Sequence, residues 1–288
     1  MKYACLHTHT EFCDGRGDVE SFCCRALEKG LDSLGFSAHA PVFKKTGFRT
    51  DWNLKEEQLQ EYLDAVNAAK LRWEGKLPIY LGLEVDYIPG LMGPADRDYR
   101  DMGLDYIIGS VHYLIPPHGA PFTVDGPPEE MERGLREGYG GDIFALIEAY
   151  WDSMEGLIHR GAFDILGHPD LIKKNNRGNR FFSENAELYC KRSTAMAVLA
   201  GKTRLVAELN TGGMNRGKID DPYPSLALLK SFHENNVPVT INADAHKAED
   251  LDGHYGEARA HLLLAGYGEA MLFGGKKENR AVWRQEKL

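Results

Sequence analysis

No stretch of this chain approaches the run of roughly 18 apolar residues that a membrane helix needs. No basic segment precedes a long apolar run near Met1 either. Neither a membrane anchor nor a secretory leader is therefore expected, and the expected compartment is the cytoplasm. No two cysteines are spaced Cys-x-x-Cys. The five present, Cys5, Cys13, Cys23, Cys24 and Cys190, are scattered and odd in number. That argues against a disulfide framework and for free thiols. No Gly-x-Gly-x-x-Gly follows an early strand-like segment, so a dinucleotide fold lacks its phosphate-binding turn. Positive charge is also in deficit: 34 Lys and Arg stand against 43 Asp and Glu, a formal net charge of −9. Such a chain gains nothing from non-specific attraction to nucleic acid or to an anionic membrane, and neither is expected as a partner. An anionic substrate needs a local cationic site.

What the chain does have is alternation. At 288 residues, with 43% hydrophobic and 27% charged residues, it has the composition of a globular protein. Strand-like runs are expected at Tyr3–Leu6, Ser33–Ala38, Pro78–Leu83, Tyr106–Val111, Phe163–Gly167, Leu205–Leu209 and Pro238–Asn242. Helix-like segments lie between them. After the first strand, Asp18 is placed to cap a helix whose apolar stripe is Val19, Phe22, Cys23, Ala26 and Leu27, with Gly30 ending it. Further helices are expected at Leu54–Trp73, Ile143–Ile158, Glu184–Leu199, Ser225–Asn235 and Tyr255–Leu264. A last apolar piece, Ala270–Phe273, is a doubtful eighth strand. Strictly alternating β and α segments predict a parallel α/β architecture, here one closed or nearly closed barrel domain over residues 1–288.

The strand ends carry the chemistry. His7 and His9 follow the first strand two residues apart, so both imidazoles leave on one face, and Asp14 comes soon after. His39, Glu84, His112 and His168 follow the next four strands. Asn210 follows the sixth, and Asp244 and His246, again two apart, follow the seventh. A lone strand-end histidine is more often a hydrogen-bonded structural residue than a ligand. Here six of the eleven histidines sit at strand ends and three carboxylates share the pattern, which coincidence does not supply. The others, His118, His159, His233, His254 and His261, fall in loops or helices and read as packing or solvated residues. In a barrel, the C-terminal strand ends share one rim. Donors in this number exceed one zinc site, so two or three divalent ions are implied. Mixed nitrogen and oxygen donors without thiolate suit zinc, manganese or iron alike.

In order, His7-Thr8-His9 with Asp14-Gly15, Ser37-Ala38-His39-Ala40-Pro41, Gly82-Leu83-Glu84, Gly109-Ser110-Val111-His112, Gly167-His168-Pro169-Asp170 and Asp244-Ala245-His246 resemble the motifs of the polymerase and histidinol phosphatase (PHP) superfamily. The details look like its monofunctional histidinol-phosphatase branch: Phe163 to Lys174, Glu208-Leu209-Asn210-Thr211-Gly212-Gly213 and Tyr223-Pro224-Ser225. The resemblance implies a distorted (β/α)7 TIM-like barrel with a trinuclear metal centre. It places His7, His9, Glu84 and Asp244 on one ion, has Glu84 bridge to a second held by His112 and His168, and gives Asp14, His39 and His246 to a third. The chain departs from that pattern at three positions. Asp14 stands where the branch often has His, Ala38 where an acidic residue is usual, and Cys5 where Asp is frequent.

Basic residues follow two of the ligand-bearing strands: Lys173, Lys174, Arg177 and Arg180 after His168, and Arg216 and Lys218 after Asn210. In the resemblance these loops carry phosphate-binding residues, and Lys173 and Arg216 are the candidates it implies. The Pro- and Gly-rich stretch 116–141 reads as a lid. The resemblance implies hydrolysis of L-histidinol phosphate, a small phosphorylated metabolite, to L-histidinol and phosphate in histidine synthesis. Asp244 and His246 are the candidate catalytic residues for the proton of the leaving alkoxide. Two other readings use the same residues: a phosphoesterase acting on a nucleotide or sugar phosphate, and a noncatalytic metal-binding regulatory domain. The sequence does not address oligomeric state.

Overall fold

A computed structural model describes residues 2–278 and 280–288. The strands are, in order, β1 (Ala4–Cys5), β2 (Ser33–Phe36), β3 (Ile79–Asp86), β4 (Tyr106–Ser110), β5 (Tyr113–Leu114), β6 (Phe122–Thr123), β7 (Ile165–Leu166), β8 (Val206–Asn210), β9 (Val239–Asn242), β10 (Glu269–Lys277) and β11 (Arg280–Lys287). The helices are α1 (Val19–Glu28), α2 (Leu59–Arg72), α3 (Arg97–Arg100), α4 (Pro128–Arg133), α5 (Ile143–Arg160), α6 (Glu187–Ala200), α7 (Gly212–Asn215), α8 (Leu226–Glu234) and α9 (Tyr255–Ala265).

Seven strands form one parallel sheet in the order β1-β2-β3-β4-β7-β8-β9. Its two edges meet just past the ends of β1 and β9, where His9 N donates to Ala245 O at 2.9 Å and Ala245 N to His7 O at 3.0 Å. The barrel is closed there by the residues that flank the predicted ligands. The expected eighth strand does not join it. Ala270–Phe273 lies in β10, which pairs antiparallel with β11. The direct junction of β1 and β9 leaves no edge for it to extend. Phe273 instead packs against Leu6, Tyr106, Ile108 and Ile165.

Side-chain caps start three of the helices, α1, α5 and α8. Asp18 caps α1 by accepting from Ser21 N. Asp142 caps α5 by accepting from Phe144 N and Ala145 N. α5 then buries Leu146, Ile147, Tyr150, Trp151, Met154 and Leu157 on one face. Each such side chain contributes about 1.5–3 kcal/mol when fully buried. Inside the barrel, Tyr106 crosses under β3. A Cβ added at Gly82 would lie 2.5 Å from its Cζ, so this strand position admits only glycine beside that ring.

The stretch 116–141, which reads as a lid, carries secondary structure. It contains β6, which hairpins back on β5, and then α4. Phe122, Val124 and Met131 are buried, and this apolar content makes the segment part of the core.

Candidate metal centre

β1 ends at Cys5, and both His7 and His9 beyond it are fully buried. His39 follows β2, His112 follows β4 and His168 follows β7, all of them buried. Glu84 differs from expectation in lying inside its strand. β3 runs on to Asp86 because residues 82–86 pair with 106–110 of β4. Asp244 follows β9 with φ +48°, a left-handed backbone unusual for a non-glycine residue. Asp14 reaches the cluster through a tight turn that Gly15 permits, since a Cβ there would lie 2.1 Å from His9 O.

The fold brings all nine predicted donors together in overlapping groups whose donor atoms lie within 4.8 Å of one another: His7, His9 and Asp244; His7, Glu84 and His168; His39, Glu84 and His112; and His9, Asp14, His39 and His246. His9 Nε2 lies 3.2 Å from Asp244 Oδ1. Glu84 is central. Its Oε2 is 3.1 Å from His7 Nε2 and 2.9 Å from His39 Nδ1. Its Oε1 is 2.9 Å from His168 Nε2 and 3.6 Å from His112 Nε2. His246 Nε2 is 3.1 Å from Asp14 Oδ2.

Outer carboxylates orient two of the rings. Glu208 faces His7 Nδ1 at 2.7 Å, and its other oxygen accepts from His168 N at 3.0 Å. Asp86 faces His112 Nδ1 at 2.8 Å. Ser110 donates to Glu84 Oε1 at 2.7 Å. Such partners set the tautomer and basicity of ligating imidazoles. Glu208 and Asp86 were not among the expected site residues. The signal for both is the period of two: Asp86 is two beyond Glu84 and Glu208 two before Asn210, so each shares a strand face with a strand-end polar group. Asn210 itself donates to Glu208 Oε2 and accepts from Gly212 N, a supporting role.

The electrostatics are those of a dense mixed cluster. Burial opposes charge on His7, but the carboxylates of Glu208, Glu84 and Asp244 raise it well above the ordinary histidine range. Burial likewise opposes charge on His112, which Asp86 and Glu84 nevertheless push up to about 10. His9 goes the other way, down to about 3, through burial and the neighbouring His39 and His246. Burial would raise Glu84 and Asp244, yet both are held well below the carboxylate range, Glu84 by His7, His39 and His112 and Asp244 by Arg216 and His7.

The residues fit a metal centre by an independent test. Among the described residues, His7 Nε2, His9 Nε2, His39 Nδ1 and Glu84 Oε2 are buried without a hydrogen bond, although they lie close together. Buried polar atoms are almost always paired, and several that converge yet are not aligned on one another are suited to a cation. Nitrogen and oxygen donors without thiolate are the set for zinc, manganese or iron.

The cluster opens into a cavity of about 660 Å³ lined by Asp14, His39, Glu84, His112, His168, Asp244 and His246 together with Arg216 and Lys174. Arg216 donates to Asp244 O at 3.1 Å and to Asp244 Oδ2 at 3.0 Å, and lies 2.9 Å from His246 Nδ1. Lys173 is a correction. Its side chain is buried away from this cavity, where it donates to Pro222 O at 2.9 Å and lies 5.3 Å from the centre of the Tyr223 ring. The 3₁₀ turn Leu171–Lys173 reverses the chain so that Lys174, not Lys173, faces the cavity, paired with Asp125 at 2.8 Å. Arg177 and Arg180 pair with Asp220 and Glu132, and Lys218 lines a neighbouring depression.

Known proteins share this arrangement of elements. The PHP domain family matches residues 6–212. A probable histidinol-phosphatase of Deinococcus radiodurans is 30% identical over 272 residues, 94% of this chain and 96% of that protein. A histidinol-phosphatase of Bacillus subtilis is 25% identical over 261 residues, 86% of this chain and 95% of that one. A histidinol phosphate phosphatase of Lactococcus lactis subsp. lactis, solved with zinc, L-histidinol and phosphate, superposes with a TM-score of 0.66 at 21% identity, over 96% of this chain and 99% of that one. At that identity the likeness speaks for the barrel alone. With the family matched over residues 6–212 and a relative 30% identical along nearly its whole length, the chain belongs to the PHP domain family.

Proposed function

We propose that residues 1–288 work as one metal-dependent phosphomonoesterase domain that hydrolyses L-histidinol phosphate to L-histidinol and phosphate, a step of histidine synthesis. One observation carries this reading: nine donors carried by six barrel strands form one cluster, seven of them lining a cavity that also presents Arg216 and Lys174. The choice of ester follows the names of the Deinococcus and Bacillus relatives. His7, His9, Glu84 and Asp244 would hold one ion. Glu84, His112 and His168 would hold a second, and Asp14, His39 and His246 a third. The Lactococcus protein contains zinc, and manganese or iron suits the same donors. Divalent ions in such a site neutralise phosphoryl oxygens and lower the pKa of water.

The chain's own groups do the rest. Arg216 and Lys174 supply the positive charge that holds phosphoryl oxygens in the overall acidic protein. Water attacks phosphorus as the ester P–O bond breaks, and the leaving alkoxide needs a proton. Asp244 and His246 are assigned to that proton path because both line the cavity and both touch Arg216. Asp244 enters the cycle ionised, since Arg216 and His7 outweigh its burial. Glu208 and Asp86 keep the rings of His7 and His112 turned toward the cluster.

The test is phosphate release from a panel of esters, with zinc, manganese or iron added. L-Histidinol phosphate is expected to be hydrolysed in preference to nucleotide and sugar phosphates. Equal rates across the panel would remove the assigned substrate, and no release from any ester would remove the enzyme. The variant His168→Asn should lose metal and lower kcat by about 100-fold or more.

A further inference from the structure

Asp170 and Lys173 form a buried ion pair that the proposed reaction leaves unused. Asp170 is fully buried and Lys173 is 6% exposed, with Lys173 Nζ 3.6 Å from Asp170 Oδ2. Neither lines the cavity of the donor cluster. A buried pair is a weak source of stability, because desolvation cancels much of its attraction. Its better-attested use is to hold one geometry against others.

Both residues follow His168 on the loop after β7, and both reach across to the loop after β8. Lys173 Nζ donates to Pro222 O at 2.9 Å, and Ser225 N donates to Asp170 Oδ2 at 2.7 Å. The segment Pro222–Ser225 is thus gripped at both ends. Within it, Tyr223 pairs with Asn210 at the end of β8. Asn210 N donates to Tyr223 O at 2.6 Å, and Tyr223 N donates to Asn210 O at 3.0 Å. The Tyr223 ring also stands edge-on to His168, with centres 6.5 Å apart. Asn210 Nδ2 then donates to Glu208 Oε2 at 3.0 Å. Glu208 touches two of the metal donors, His7 through Nδ1 at 2.7 Å and His168 through its backbone N–H at 3.0 Å. Asn210 Oδ1 accepts from Gly212 N, and a Cβ added at Gly212 would lie 2.7 Å from Asp244 Cβ. Tyr223, Asn210 and Glu208 are all fully buried, so a bond lost along this line leaves a polar group without water to replace its partner.

We infer that Lys173 and Asp170 are positioning residues of the metal centre, acting through Pro222–Ser225 and Asn210 on Glu208, and so on His7 and His168. The inference rests on the metal-centre reading under the proposed function. If the segment shifts, Asn210 releases Glu208, and the His7 ring loses the partner that fixes its tautomer and direction. Lys173 thereby serves the site although its ammonium lies away from the cavity.

The experiment measures zinc retained by the zinc-loaded protein during dialysis against a graded chelator. Lys173→Met and Asp170→Asn should each lower zinc affinity by at least about tenfold. The double variant Asp170→Asn/Lys173→Met buries no uncompensated charge and should fold even where a single variant does not. It should keep the loss of affinity, because Pro222 O has lost its donor. Affinity within about twofold of the parent in the double variant overturns the inference, whatever happens to Tm. Coupling tests the route. Lys173→Met combined with Glu208→Gln should weaken zinc binding by clearly less than the product of the separate effects, since both act along one line. A strictly multiplicative loss overturns it.

Another readout needs no metal. In the chelated protein, amide exchange at Asn210 and Tyr223 should be at least about tenfold faster in the double variant than in the parent, with the amides of β3 unchanged. Equal exchange at Asn210 and Tyr223 overturns the inference. A parent protein that retains no zinc overturns the metal reading instead, and the exchange rates still decide whether the buried pair holds the segment.

Discussion

His7 Nδ1 and Glu208 Oε1 lie 2.7 Å apart with both side chains fully buried, although 201 residues separate them in the chain. The pair joins the first barrel strand to the sixth and fixes which nitrogen of His7 faces Glu84 and Asp244. Glu208→Gln keeps the shape and removes the charge. It is expected to lower metal affinity by about 10–100-fold, read as metal retained after dialysis against a graded chelator. Retention equal to the parent would show that Glu208 does not tune the centre.

Metal removal should be visible in stability and in protons. An ion present at about 100 times its dissociation constant adds about 2.7 kcal/mol. Chelation is therefore expected to lower Tm by about 4–5 °C for each such ion in a chain of this size. In the metal-free protein His7, His39 and His112 are all raised, His112 to about 10, so the cluster holds protons at neutral pH, on His112 above all. Reloading must displace those protons, so the heat of metal binding at pH 7 should depend on the ionisation enthalpy of the buffer. The sign for stability follows from the same shifts. His112 is pushed up to about 10, above an unfolded value of about 6.5. Its stabilisation is full below about pH 6.5 and is lost as pH rises through about 10. The chelated protein should thus weaken from pH 7 to 10 more steeply than the loaded one.

Gly82→Ala tests the barrel interior. The added methyl meets Tyr106 Cζ at 2.5 Å, a contact neither strand backbone nor ring can relieve without moving. The expected cost is about 1–3 kcal/mol or more in urea denaturation. Tyr106→Ala in the same chain should make the two effects clearly non-additive, because the substitutions share one contact. Strict additivity would place the strain elsewhere.

The thiols should fall into two classes. Cys24 and Cys190 are exposed, whereas Cys5 and Cys23 are buried. Burial pushes both Cys23 and Cys13 up to about 12, with the Glu20 charge adding at Cys23 and the Asp14 charge at Cys13. Alkylation of the native protein at pH 8 should therefore modify Cys24 and Cys190 quickly and the other three slowly, as peptide mapping of timed samples would show. Fast labelling of Cys13 would mean that the segment beside Asp14 is looser than its burial implies.

The predicted donors were legible because each is a local event: a polar residue close behind an apolar run, in two cases paired two residues apart. The parallel, closed or nearly closed architecture followed from the β/α alternation in the same way. The doubtful eighth strand was misread because an apolar run does not reveal what it pairs with. Only the junction of His7 and His9 with Ala245 shows that the barrel closes without it. The Pro and Gly content of stretch 116–141 hid Phe122, Val124 and Met131, which are buried.

By itself, the sequence determined the donor set, the barrel and the net negative charge that makes a local cationic site necessary. Tertiary structure alone decided which groups support and surround those donors. Lys173 and Lys174 are adjacent and chemically equal, and a single 3₁₀ turn sends one into the core beneath Tyr223 and the other to the cavity. The pairing of Lys174 with Asp125 at the cavity carries no local mark in the sequence, because it joins positions 49 residues apart. Ligand spacing is a property of one strand and can be read along the chain. The shape of the cavity belongs to several loops at once and exists only when the barrel brings them together.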